Sequence, residues 1–163
     1  MKNFLRSTAA VLICVILALA LSSCSAKVPV TAQTFTAKAE ELGLQVRDNT
    51  EQYEGLEWFD DVDSALIAEK ISDGTVMWVA DYITFKNDGF IKENFDYYVE
   101  RIRDNVESMR LSTKVESQNY ELFHTYADGF YFYLCRVDNT FLYISVYEEF
   151  DEEAKALVDA IGY

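Results

Sequence analysis

Two Asp-Gly dipeptides, Asp73-Gly74 and Asp128-Gly129, constrain the fold of this chain more than any other feature. Each lies between two apolar, aromatic runs of strand length: 65–72 and Thr75–Phe85 in one case, Tyr120–Ala127 and Phe130–Val137 in the other. A two-residue hairpin loop needs positive φ at both central positions. Glycine accepts that freely and aspartate tolerates it, so each dipeptide predicts a type I′ turn between antiparallel strands. A further turn at Asp138-Asn139 leads into Thr140–Tyr147 and makes the second hairpin a three-stranded meander.

Helical patterns bracket these strands. Thr31 can cap a first helix whose apolar face is Phe35, Ala39 and Leu42, stopped by Gly43. Between the strand groups Ile91, Phe95, Tyr98, Ile102, Val106 and Met109 recur at spacings of three and four, one stripe of a 3.6-residue period, with Asn87 or Asp88 as its cap. A last helix follows Asp151, buries Leu157, Val158 and Ile161, and closes on Gly162-Tyr163, as the first closes on Gly43-Leu44. A short strand is expected within 45–50, and 51–63 is irregular or partly helical. The acid run Glu148, Glu149, Asp151, Glu152 and Glu153 suits the positive end of the last helix.

The order α-β-β-β-α-β-β-β-α with tight hairpins predicts an α+β fold: an antiparallel sheet of five or six strands with the helices packed on one face. The other face is then rich in tyrosine, with Tyr131, Tyr133 and Tyr143 its expected members. Tyrosine joins an apolar ring to a polar tip, so such a face serves as a solvated sheet or as a binding surface.

The N-terminus carries a separate signal. Lys2 and Arg6 precede 13 unbroken apolar residues, 9–21. A helix needs about 20 to cross a hydrocarbon core, so the run reads as the apolar part of an export signal. The stretch Leu21-Ser22-Ser23-Cys24 that ends it resembles a bacterial lipobox, which implies cleavage before Cys24 and lipid on its sulfur. An ordinary secretory signal with an incidental cysteine is the alternative. The expected organisation is a signal peptide over 1–23, a lipidated cysteine and short tether over 24–30, and one domain over 31–163. Residues 25–30 reach roughly 20 Å when extended, at about 3.3 Å each. Any partner is therefore membrane-proximal or a small ligand able to diffuse there.

Charge narrows the partners further. Loss of 1–23 removes two of the 14 basic residues and none of the 28 acidic ones, leaving 140 residues at a formal −16. Nucleic acid demands the opposite sign, and an anionic bilayer would repel such a surface, so attachment falls to the lipid. Of three cysteines, Cys14 leaves with the signal and Cys24 takes the lipid. Cys135 is then single, and a disulfide scaffold is excluded.

Enzyme constellations are weak and no cofactor is indicated. His124, the one histidine, lies in a strand with no positioned partner, and Cys135 lies in the apolar run 131–137. Zinc lacks ligands. Asp60, Asp61 and Asp63 suggest a calcium loop, but the glycine at its sixth position is missing. Two charged residues stand out as possible binding or polar-pair residues. Asp81 interrupts an apolar strand and Arg136 ends another, so they pair, line a polar spot in the sheet, or sit at solvent-facing edges.

The pattern Phe35…Gly43-x-x-Val46-x-Asp48-x-Thr50, the segment Arg136-Val137-Asp138-Asn139-Thr140 with Tyr143, and the closing Ile161-Gly162-Tyr163 resemble those of small uncharacterised lipoproteins of gut Firmicutes. The resemblance spans most of the mature chain and implies a Gram-positive surface lipoprotein. It carries over no catalytic residue. Two functions are compatible with these features: a non-enzymatic module that binds through an aromatic sheet face, and an extracytoplasmic enzyme acting on cell-wall or peptide material.

Overall fold

The computed structural model describes residues 26–56 and 58–163; the readings on 1–23 and on lipidation of Cys24 fall outside the described residues. Among the described residues three helices, α1 (Ala32–Glu41), α2 (Ile91–Asn105) and α3 (Asp151–Ile161), accompany seven strands. The strands are β1 (Gln45–Asp48), β2 (Val62–Ser72), β3 (Thr75–Phe85), β4 (Met109–Glu116), β5 (Tyr120–Ala127), β6 (Phe130–Val137) and β7 (Thr140–Tyr147). They form one antiparallel sheet in the order β1-β2-β3-β7-β6-β5-β4. Among the described residues no helix is long and apolar enough to cross a membrane.

The hairpin turns form where the dipeptides place them. Asp73 and Gly74 take φ of 49° and 76°, and Asp128 and Gly129 take 51° and 84°. At the third turn only Asp138 is left-handed. Asn139 ties that turn to β3, donating its side-chain amide to the Phe85 carbonyl at 2.6 Å. Thr31 caps α1 by accepting the Thr34 amide at 3.1 Å. Both glycine stops close as Schellman motifs: Leu44 N–H reaches the Ala39 carbonyl at 3.0 Å, and Tyr163 N–H reaches Val158 at 3.0 Å.

The α+β antiparallel class stands, with two corrections. The sheet has seven strands rather than five or six, because β4 was absent from the pattern. Nearly every β4 residue is exposed, so this edge strand has no alternation of buried and polar positions to announce it. Met109, the expected end of the middle helical stripe, instead begins β4. Helix α2 stops at Asn105 and Val106 turns extended. The Glu107 and Ser108 amides then donate to the Asp128 carboxylate at 2.8 and 3.2 Å. Nor do Asn87 or Asp88 cap α2, which starts at Ile91 without a side-chain cap.

The helices also occupy both faces rather than one. The reason is topological. Strand β3 lies mid-sheet and β4 at the far edge, so α2 must cross β7, β6 and β5, while α1 and α3 cover the other side. Ile91, Phe95, Val99 and Ile102 of α2 bury against Phe123, Leu134 and Phe141. On the opposite face Phe35 of α1 stacks on Tyr82 at 4.5 Å, and Ala154, Leu157, Val158 and Ile161 of α3 fill the rest.

The segment before α1 is docked as well. Asn119 donates its side-chain amide to the Lys27 carbonyl at 2.7 Å and accepts the Lys27 amide at 3.3 Å. The Val30 amide donates to the Tyr163 hydroxyl at 3.0 Å, and the Tyr82 hydroxyl donates to the Val30 carbonyl.

Candidate functional site

Register decides which tyrosines are available. The two-residue turns pair odd positions with even ones, so Tyr131 faces Val146, Tyr133 faces Ile144, and Tyr143 faces Leu134. Alternation then puts Tyr131 and Tyr133 on the α1–α3 face, where both are buried. Tyr143 lies on the α2 face. The expected grouping of the three on one open face is therefore corrected: Tyr143 alone of them remains accessible, in company with Phe130, Phe132 and Tyr147.

Tyr143, Phe130 and Phe132 line a hollow of about 550 Å³ between the C-terminal half of α2 and strands β5 to β7, with Tyr98, Arg101 and Ile102 on the helix side and Asn105 and Asp128 also in its lining. The Tyr98 ring lies 5.2 Å from that of Tyr143 and 5.5 Å from Phe141. A second hollow of about 440 Å³ opens on the other side of the same two residues, Tyr98 and Arg101, towards Leu56 and Trp58. Among the described residues no carboxylate pairs with Arg101.

Asp81 stands directly across from Tyr143 on the β3–β7 pair, and from Ile67 on its other side. It is half-buried, and among the described residues nothing donates a hydrogen bond to it. Burial pushes its carboxyl up to about 6, against the pull of the Arg47 guanidinium. Arg47 is committed elsewhere, to Glu69 at 3.0 Å and Asn49 at 3.0 Å. Burial, and after it the Asp81 charge, raises the phenols of Tyr53 and Tyr98. Burial likewise raises Tyr143, with Asp81 adding to the rise and Arg101 opposing it. Asp81 and Arg101 thus act with opposite sign on the same two phenols, those of Tyr98 and Tyr143.

Arg136 does not pair with Asp81. Both project from the α2 face, but the Arg136 guanidinium grips Glu121 through Nε at 3.0 Å and a terminal nitrogen at 2.6 Å. Glu121 is fully buried, and Lys92 reaches the same oxygen at 3.1 Å. Burial works to raise the Glu121 carboxyl, but the hydrogen bonds from Arg136 and Lys92 outweigh it and hold the group below its ordinary value. Arg136 is thus a partner in a closed ion cluster beneath the start of α2.

The chemistry available to the other candidates is limited. Burial pushes the Cys135 thiol up to about 12, the reverse of what an activated nucleophile needs. Burial and nearby Lys155 lower the His124 pKa, and its Nδ1 is buried without a hydrogen-bond partner. Arg101 and Glu121 escaped the sequence reading. Arg101 follows Tyr98 by three positions and so shares its helix side, and Glu121 alternates with Phe123, which placed it facing inward. Comparison with known proteins finds no matching family model, no matching curated protein and no matching solved structure.

Proposed function

We propose that this chain is a lipid-anchored binding protein, held at the extracytoplasmic face of a cell membrane through Cys24, whose α2-face hollow receives a ligand. The observation that carries the binding half is an accessible aromatic hollow whose wall residue Tyr143 is paired across β3 and β7 with Asp81, a half-buried carboxylate with no donor among the described residues. Such a group weakens the fold, and clefts that bind ligands are where that weakness recurs. The partner is a small ligand or a membrane-proximal protein. Support for the anchor comes from the basic start, the 13-residue apolar run and the lipobox-like stretch before Cys24. The likeness to Firmicutes lipoproteins supports a Gram-positive surface.

The silence of Cys135 and His124 favours a non-enzymatic role. One observation favours the other reading, an extracytoplasmic enzyme acting on wall or peptide material: a carboxyl held near 6 among phenols is poised to donate a proton. Thermal shift of the purified protein against metabolites and wall fragments separates the two. Stabilisation without turnover is expected, whereas turnover abolished by Asp81→Asn would establish the enzyme. For the anchor, mass spectrometry of the membrane fraction should find Cys24 acylated, and Cys24→Ala should release the protein. Residues 1–23 intact on protein from cytosol would refute it.

A further inference from the structure

Arg101 is the exception among the basic side chains. Twelve lysines and arginines follow residue 23, against 28 acidic residues, and on so acidic a chain each cation is expected to find a partner. Eleven do. The seven lysines each meet a carboxylate or a backbone carbonyl within 3.3 Å. Arg47, Arg110 and Arg136 grip carboxylates, and Arg103 lies over the Phe123 ring. Arg101 has neither a carboxylate nor a ring partner among the described residues, yet it lines both hollows.

The groups around it favour an anion with an apolar body. Asp128 is the carboxylate that lines the first hollow, and it is already engaged. One of its oxygens accepts the Glu107 amide at 2.8 Å; the other accepts the Ser108 amide and hydroxyl, each at 3.2 Å. It neither neutralises Arg101 nor stands free for an incoming cation. Beyond Arg101 the wall is Ile102, Val106, Phe130, Phe132 and Tyr143, a surface that a ring or a branched chain covers. Glu93 lines the second hollow and repels an anion from that side. The exposed aromatic side chains of the described residues also gather here: Phe90 and Tyr97 line the second hollow, and Tyr147 stacks on Phe130 at 4.6 Å.

Resting on the binding-protein reading, we propose that the first hollow takes a small organic acid, its carboxylate on Arg101 and its aromatic or branched body against Phe130, Phe132 and Tyr143. Guanidinium holds a carboxylate through two parallel N–H donors, and a hollow of about 550 Å³ is of the size that encloses small molecules.

The test is calorimetric titration of the purified full mature protein with 3-phenylpropanoate, 3-phenylpropanamide and propanoate. The aryl acid should bind at least tenfold more tightly than its amide, which lacks the charge, and than propanoate, which lacks the ring. Arg101→Gln should bring acid and amide level, whereas Arg103→Gln should preserve the preference. Arg101 is exposed, so an unchanged melting temperature should accompany its loss. Equal binding of acid and amide, or a preference that survives Arg101→Gln or vanishes equally in Arg103→Gln, would overturn the carboxylate site and leave an apolar hollow standing. Propanoate binding as tightly as the aryl acid would overturn the role of the aromatic wall. Binding of none would overturn the organic acid outright, and the binding reading falls with it only if the metabolite and wall-fragment screen is silent too.

Discussion

Two carboxylates on the same sheet face have opposite environments. Glu121 is completely enclosed, with Arg136 and Lys92 hydrogen-bonded to one oxygen, while the other has no hydrogen bond and only the Lys114 charge at 3.7 Å. Asp81 keeps more solvent exposure and has no hydrogen-bond donor among the described residues. The acid with less solvent exposure is the more acidic one, so exposure alone does not set the charge state. Partners do. The difference separates a carboxylate that holds α2 to the sheet from one that the fold tolerates at a cost. The first belongs to the architecture. The second needs an explanation outside the fold, and the proposed binding role would supply one.

The contrast breaks most readily at Glu121. Glu121→Ala leaves Arg136 facing a buried void without its counter-charge, and the loss should be about 3–5 kcal/mol in denaturant unfolding. A loss below about 1 kcal/mol would show the cluster to be ornamental. Asp81→Asn should act in the opposite direction, raising stability at pH 7 by about 1–2 kcal/mol, below the roughly 3 kcal/mol that two pKa units would imply, because the group is partly solvated. The same substitution at pH 4 should change little, since the native carboxyl is by then protonated.

The pH dependence follows from both groups, with opposite signs. The folded carboxyl of Asp81 titrates near 6, above its ordinary 3.8, so its cost is present above 6 and is relieved as pH falls towards 4. Arg47, Glu69, Tyr53, Tyr98 and Tyr143 are the charged and titratable neighbours that face it. Glu121 is held below its ordinary 4.5, so its contribution is complete above that value and is lost on further acidification. Thermal melts across pH 4–8 should therefore peak near about 5, and Asp81→Asn should flatten the alkaline side of the peak. A monotonic rise from pH 4 to 8 would contradict the assignment. The smallest effect is expected away from both acids: Tyr163→Phe removes the acceptor of the Val30 amide and should cost about 1 kcal/mol. Limited proteolysis should then cut more readily within 27–30.

What could be read from the residues was local. The Asp-Gly turns, the Thr31 cap and the glycine stops at Gly43 and Gly162 each depend on a few adjacent positions, and the structure forms all of them. What escaped was relational. Three apolar helical stripes state that three surfaces need cover, without saying which side of the sheet each takes; that follows from the crossing between β3 and the distant β4. The tyrosines were misgrouped because a two-residue turn exchanges odd and even positions, so Tyr133 and Tyr143 look equivalent within their strands and point to opposite sides. Asp81 was visible as a carboxylate in an apolar strand. Its surroundings were not, since Tyr53, Tyr98 and Tyr143 come from three separate parts of the chain, and Arg136 had a nearer claimant in Glu121.

The clasp on residues 27–30 has a geometric consequence. For a chain moored at Cys24 as proposed, Ser25 and Ala26 alone separate the lipid from the clasp at Lys27, a leash of roughly 10 Å. So short a leash leaves the domain little room to swivel. The end of the sheet bearing Asn119 and the Asp138-Asn139 turn would then sit lowest. Phe130, at the far end of eight-residue β6 and roughly 25 Å away along the strand, would then put the aromatic hollow at the end of the domain farther from the headgroups.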